Sequence, residues 1–431
     1  MSDIEVRAES VSRTVSIGIL LAASFLPSKS VAREPLTKWP SELVPATAPA
    51  LDATLPAIEI GAPLLEHPRF KEMQAAEQKT ALAIYDALPE SSRAHLLGVF
   101  DRKCREGSTF AIVDRDFTGG SLLNTLQALT QDQFAPALNE KRDQIIESYL
   151  LELAEPGQLN QSTFGVCGTG MIYCLYKEYP AEAARLMRGL LLPSGEVNLL
   201  KRGAVLKRSP YSLLPDAHGN RSITESIMQS ALMDLANGEQ LHYCKICDMS
   251  FDKDSGKLSF GLSWPQTMRL FKSIYNISDD DCYQVSGSDL SHCRSIISTH
   301  LPGTVSVSLK WSESQGESIS LDSRHATKLH GLEADEHLVE KRTTQSGGFG
   351  SHRVDLIKVE GDRVYFRNLH GPTDLANGTD LVNPPRRVED AAKGIESMTR
   401  SEFEGRLQGI LVPHRNRRIP VPVVPSLAKS R

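Results

Sequence analysis

A strand–turn–strand pattern over residues 352–368 constrains the fold of this chain more than any other feature. Its sequence is HRVDLIKVEGDRVYFRN, in which Glu360-Gly361-Asp362 separates two runs with apolar residues at strand spacing. If the turn centres near residues 360–361, antiparallel pairing puts position 352 opposite position 368 or within a residue or two of it. Such cross-strand neighbours lie about 4.5–5.5 Å apart at Cβ. The pattern therefore predicts a hydrogen bond between the His352 imidazole and the Asn368 amide.

A cysteine with small neighbours supplies a candidate nucleophile. Cys167 begins a predicted helix, GVCGTGMIYCLYKEYP, and Gln161 lies six residues before it. A thiol at a helix N-terminus and beside an imidazolium has a pKa of about 3.5–7.5. Together with His352 and Asn368, these residues contain every part of a thiol acyl-transfer centre. Those parts are an oxyanion donor, a nucleophile, its base, and the group that orients the base.

The order Gln161…Cys167…His352…Asn368 resembles that of the papain-like cysteine peptidases, the group that includes papain and the calpains. The six-residue Gln–Cys spacing and the sixteen-residue His–Asn spacing are similar to those of papain. The run RNLHG at 367–371 looks like the Arg-Asn-Pro-Trp-Gly run of calpains. The resemblance covers approximately residues 150–412.

This resemblance implies that Cys167 is the nucleophile, that His352 is the general base and then the acid, and that Asn368 orients His352. The Gln161 side chain and the Cys167 backbone N–H would form the oxyanion hole. The implied substrate is a protein or peptide, bound between a helical lobe and an antiparallel β lobe. The implied reaction is hydrolysis through an acyl-enzyme, with no cofactor and no metal.

The chain departs from the family pattern at three points. Gly168 follows the cysteine where the family usually has an aromatic residue, and His370 replaces the tryptophan that shields the His–Asn bond. The Cys–His separation, 352 − 167 = 185 residues, exceeds the family's range of about 130–150. Insertions are therefore expected between the two lobes.

The order of the patterns predicts an α+β fold, because helical periodicity comes first and strand alternation later. Residues 1–33 are assigned to a leader or a disordered N-terminus, and residues 34–150 to a linker and a helical extension. Residues 151–412 are assigned to the peptidase domain, and residues 413–431 to a disordered, basic, Pro-rich tail.

Local signals place several elements within this frame. Helices are predicted within residues 70–153, after the capping box Ser222–Glu225, and from Trp264 to about Tyr275. Alternation predicts a strand over Val305–Trp311. A strand–loop–helix ending in EFEGRLQGIL is predicted to complete the fold.

The net charge and the apolar runs of the sequence limit the kinds of partner that are expected. The formal net charge of −5 gives no argument for a nucleic-acid partner. The apolar run Val15–Leu26 is too short for a comfortable membrane span, although it has the length of a signal peptide. No stable membrane insertion is expected, export and a cytoplasmic location remain equally open, and the oligomeric state is not predicted.

Some residues have rivals for their roles. His325 could be the base instead of His352, although it lacks a hairpin partner at the right distance, and Asn160 could be the polar donor instead of Gln161. Cys244 and Cys247 form a single CxxC pair that could belong to a zinc or redox site. Structural thiols are the favoured interpretation of this pair, because no second CxxC follows at the usual spacing.

Two other functions are alternatives to the hydrolysis of peptide bonds. A transglutaminase or glutamine deamidase would form the same acyl-thioester, although such enzymes more often orient the histidine with Asp. A catalytically degenerate fold could instead serve as a binding domain, with the CxxC segment holding zinc.

Overall fold

The chain is described here by a computed structural model. The described residues are 62–107, 109–160, 171–201, 203–213, 221–239, 241–244, 249–252, 258–259, 261–275, 282–284, 290–301, 305–312, 350–368 and 385–412. The predicted leader (1–33) and tail (413–431) lie outside these ranges.

Helices make up most of the described N-terminal residues. In chain order they are α1 Ala62–Glu66, α2 Pro68–Glu72, α3 Ala75–Ala87, α4 Glu90–Asp101, α5 Leu122–Gln131, α6 Pro136–Asn139, α7 Arg142–Ala154, α8 Met171–Glu178, α9 Pro180–Leu191, α10 Ile223–Asn237, α11 Trp264–Tyr275, α12 Leu290–His300 and α13 Arg400–Arg406.

Strands make up most of the described C-terminal residues, and all strands are numbered here in chain order. They are β1 Lys103–Cys104, β2 Thr109–Phe110, β3 Glu196–Asn198, β4 Val205–Lys207, β5 Leu241–Cys244, β6 Met249–Asp252, β7 Leu258–Ser259, β8 Cys282–Gln284, β9 Val305–Ser312, β10 Gly350–Glu360, β11 Arg363–Arg367, β12 Arg387–Asp390, β13 Ile395–Thr399 and β14 Leu407–Leu411. The main sheet is antiparallel, with the order β12-β13-β11-β10-β9-β14-β8. The predicted α+β class is confirmed.

Two apolar cores follow from this order. The larger core joins buried residues of the helices from α1 to α11, so helices on both sides of residue 150 share it. The smaller core lies on one face of the main sheet, where α12 supplies Ile296 and Ile297 and α13 supplies Phe403. The predicted domain boundary at 150/151 stays a prediction.

The main sheet meets the helices through polar side chains as well as by packing. Arg353 on β10 donates from Nη2 to Thr267 Oγ1 of α11 at 3.1 Å, and both residues are buried. The Trp264 ring packs against Gly409 of β14, where an added Cβ would lie 2.4 Å from the ring. One face of the main sheet is therefore apolar, and the other face contacts α11 through Arg353 and Gly409.

Local signals in the sequence predicted several elements correctly. Helices α3, α4, α5 and α6 lie within the predicted helical stretch 70–153, α7 ends one residue beyond it at Ala154, and β9 contains the predicted strand. Helix α10 begins with the predicted capping box: Ser222 Oγ accepts from the Glu225 N–H at 3.0 Å, and Glu225 accepts from the Ser222 N–H at 2.6 Å. Gly238, with φ of +76°, ends it.

The end predicted for the last helix was wrong. EFEGR belongs to α13, but Leu407–Leu411 form β14, which is inserted between β9 and β8. Pairing with β9 buries Leu407, Ile410 and Leu411. This burial, together with the close contact at Gly409, favours a strand over further helix.

Candidate functional site

The buried pair His352–Asn368 lies at one end of the β10–β11 hairpin. His352 Nε2 lies 2.9 Å from Asn368 Oδ1, and the two residues are 5% and 3% exposed. The contact predicted from the hairpin pattern is confirmed. The catalytic role of the pair stays a prediction.

Strand register explains why these two residues meet. The turn is at Gly361–Asp362, one residue later than expected, with Glu360 opposite Arg363 and Gly361 at φ of +57°. An irregularity between Leu356 and Lys358 then shifts the pairing, so that Asp355 lies opposite Arg367. The position opposite 368 would thus be 354, two residues from His352 and within the predicted tolerance.

Asn368 is held from the neighbouring strand β13. Its backbone N–H donates to Gly394 O at 2.8 Å, and its side-chain Nδ2 donates to Glu396 Oε1 at 3.0 Å. Arg386 Nε lies 2.7 Å from Glu396 Oε2, and both side chains are almost fully buried. Sequence reasoning missed Glu396 and Arg386, because polar residues make up most of the strand IESMT and give no local signal that its acid is buried.

Arg367, which directly precedes Asn368, contacts both flanks of residues 161–170. Its Nη2 donates to Gly157 O at 2.8 Å and to Leu159 O. Its Cζ lies 4.5 Å from the ring centroid of Tyr173 in α8. One buried side chain therefore ties the strand end that carries Asn368 to the chain on either side of the segment that contains Cys167.

Helix α10 holds the first of these flanks. The Asn160 N–H donates to Glu225 Oε1 at 2.5 Å, and Gln229 Nε2 donates to Asn160 O at 2.8 Å. Asn160, the rival donor to Gln161, is buried with its backbone in these bonds. The residue immediately before Gln161 therefore has a defined position.

Five residues singled out in the sequence lie outside the described part of the chain: Cys167, Gln161, the rival base His325, His370 and Cys247. The structure therefore brings together His352 and Asn368, whereas their relation to Cys167 and Gln161 stays a prediction. The backbone of Cys244 lies at the end of β5.

Three other cysteines of the described part of the chain are buried: Cys104, Cys174 and Cys293. Burial, reinforced by the nearby Asp114 carboxylate, raises the pKa of the Cys104 thiol to about 12. A thiol of that kind is inert at neutral pH, because the thiolate is the nucleophile.

Behind the first flank lies a pair of buried carboxyl groups, Glu152 and Glu225, joined through Ser222. Ser222 Oγ donates to Glu152 Oε1 and the Ser222 N–H donates to Glu225 Oε2, both at 2.6 Å. Burial raises the pKa of Glu152 to about 7. Burial, and then repulsion from Glu152, raises that of Glu225 to about 8. Glu152 accepts from the Ser222 and Thr224 hydroxyl groups and Glu225 accepts from two backbone N–H groups, so both ionised forms are stabilised, but burial outweighs these bonds in each carboxyl.

This pair should make the protein less stable at alkaline pH. A raised carboxyl pKa contributes stability that is present below about 4.5, the unfolded value, and lost as pH rises through about 7. A shift of this size corresponds to about 3 kcal/mol. Glu152→Gln should therefore gain stability relative to the wild type between pH 5 and 9, measured by urea unfolding at each pH. Glu147→Gln, on the same helix α7, is the control for losing one carboxylate, and parallel curves for wild type and Glu152→Gln would contradict the assignment.

No family model, no curated protein and no solved structure matches the chain. Among the described residues, no helix has both the length and the apolar character needed to cross a membrane. Within the same residues, no cluster of three or more His, Cys, Asp or Glu side chains could hold a metal ion.

Proposed function

We propose that the protein is a cysteine-dependent peptidase that uses Cys167 as the nucleophile and His352 as the base. The observation that carries this proposal is the buried hydrogen bond between His352 Nε2 and Asn368 Oδ1 at 2.9 Å. In a thiol acyl-transfer centre an amide orients the base through one imidazole nitrogen, while the other nitrogen exchanges a proton with the nucleophile. This pairing is what a thiol acyl-transfer centre requires of its base.

Support for Cys167 as the partner comes from the contacts of Arg367. Its guanidinium bonds Gly157 and Leu159 before residues 161–170 and contacts Tyr173 after them. Leu159 and Tyr173 are only fourteen positions apart in the chain. The chain that carries Cys167 is therefore tethered on both sides to the residue next to Asn368.

The proposed reaction has two steps. The Cys167 thiolate attacks the carbonyl carbon of a peptide bond, and the His352 imidazolium gives its proton to the departing amine as the C–N bond breaks. His352 then takes one proton from the water that attacks the thioester, and breaking the C–S bond releases the carboxylic acid and restores the Cys167 thiolate beside the His352 imidazolium. Gln161 and the Cys167 N–H are the proposed donors to the oxyanion.

Mass spectrometry of a protein mixture incubated with the full-length chain tests this function. New peptide termini that are absent with Cys167→Ala are the expected result. A mass increase of about one dalton at glutamines, with no new termini, would show that the reaction is deamidation and not hydrolysis of peptide bonds. No Cys167-dependent change in any substrate would contradict both and favour a binding domain.

A further inference from the structure

The Asn368 side chain is held at both ends of its amide. Oδ1 lies 2.9 Å from His352 Nε2, and Nδ2 donates to Glu396 Oε1 at 3.0 Å. The Arg386 guanidinium lies 2.7 Å from the other oxygen of Glu396. Asn368 and Glu396 are 3% and 0% exposed, so both amide contacts are made away from bulk water.

The carboxylate decides which way the amide points. A carboxylate paired with a guanidinium can accept a hydrogen bond but has no proton to donate. Asn368 must therefore turn its NH₂ group toward Glu396, which leaves Oδ1 for His352. A neutral partner in place of Glu396, such as an amide, would accept either orientation.

The amide orientation in turn decides the tautomer of the imidazole. Oδ1 only accepts, so His352 must present an N–H at Nε2. A neutral imidazole carries one N–H, and the lone pair that can take a proton is then on Nδ1. The reverse orientation of Asn368 would present NH₂ to Nε2 and move the ring proton to Nδ1, the nitrogen needed as a base.

We propose that Glu396, held by Arg386, is a positioning residue that selects the Nε2–H tautomer of His352 through Asn368. This rests on the proposed function only in that the tautomer matters for catalysis. Burying an ion pair contributes little to stability compared with an apolar pair of the same volume. Orienting the amide gives this buried ion pair a role. It explains why Glu396, 28 residues from Asn368 in sequence, lies against the Asn368 side chain.

Nitrogen-15 NMR of the His352 ring tests the proposal without any substrate. The full-length Cys167→Ala protein is labelled at histidine, and its ring signals are recorded at a pH at which the imidazole is neutral. Adding His352→Gln identifies the His352 signals among those of the 12 histidines. The starting protein should show an N–H at Nε2 and an unprotonated Nδ1. With Glu396→Gln, the ratio of the Nε2–H to the Nδ1–H tautomer should fall about tenfold or more, because one charge-assisted hydrogen bond no longer discriminates.

A charge exchange separates orientation from packing. In Glu396→Gln/Asn368→Asp the acceptor-only group sits directly on His352, and the buried region still holds one carboxylate and one guanidinium. This double variant should restore the Nε2–H tautomer, and it remains informative if the single variant unfolds. Glu182→Gln is the control, because it removes a buried carboxylate from the distant Arg185 ion pair in α9.

An unchanged ratio in Glu396→Gln, an equal fall in Glu182→Gln, or a double variant that stays at the lowered ratio would each overturn the proposal. These results are independent of peptide cleavage. A protein that cleaves nothing could still show the tautomer switch, and an active peptidase could fail to show it, so the two proposals fail separately.

Discussion

Replacing His352 by Ala should lower peptide turnover at least about 10³-fold, because the nucleophile loses its base and the leaving amine loses its acid. His325→Ala should leave most of the turnover. Both variants are compared by the rate of appearance of the new termini. The comparison is made per folded molecule, because His352 is buried and its loss also leaves Asn368 Oδ1 without this contact.

Equal losses in the two folded variants would mean that the base was wrongly assigned. A loss confined to His325→Ala would make His325 the base, and would leave the His352–Asn368 pair as a structural contact.

Replacing Arg367 by Met should lower the free energy of unfolding by about 3 kcal/mol, and should lower turnover by more than the loss of folded protein explains. The guanidinium donates to the half-buried Gly157 O and the buried Leu159 O, so its removal takes a donor from both carbonyl groups and releases the tether beside Asn368. It also removes the cationic group that lowers the pKa of Asp355 most, and burial already raises that pKa to about 7.

Arg353→Met is the matched control for this prediction. Arg353 is buried on the same hairpin, and its Nη2 donates to Thr267 Oγ1 of α11. Unfolding curves and turnover are measured on both variants. A loss of turnover in Arg353→Met equal to that in Arg367→Met, at equal folded fraction, would show that the tether has no specific role.

Those features of the site that depend on neighbouring residues could be predicted from the sequence. A hairpin is defined by its own turn and alternation, so the His352–Asn368 contact followed from positions sixteen residues apart. The capping box of α10 and the start of α11 are equally local. Their signals need only the few residues around each end.

The remaining features depend on pairings between distant segments. Glu396 reaches Asn368 only because β13 pairs with β11 in one register, and no local signal sets that register. The bonds from Arg367 to Gly157 and Leu159 join positions more than 200 residues apart. The strand β14 follows α13 without a break, and its insertion between β9 and β8 is a property of the whole sheet.

The rate of alkylation of Cys167 by a peptidyl electrophile, measured against pH in wild type and His352→Ala, tests the central claim most directly. The account predicts that Cys167 reacts ahead of the other six cysteines and remains reactive near pH 6, because His352 stabilises the thiolate. In His352→Ala the thiol should titrate near its ordinary pKa of about 8.5, so the rate at pH 6 should fall by a factor of about 100 or more and recover toward pH 9. A Cys167 that reacts like an ordinary exposed thiol, with the same pH dependence in both proteins, would contradict the account.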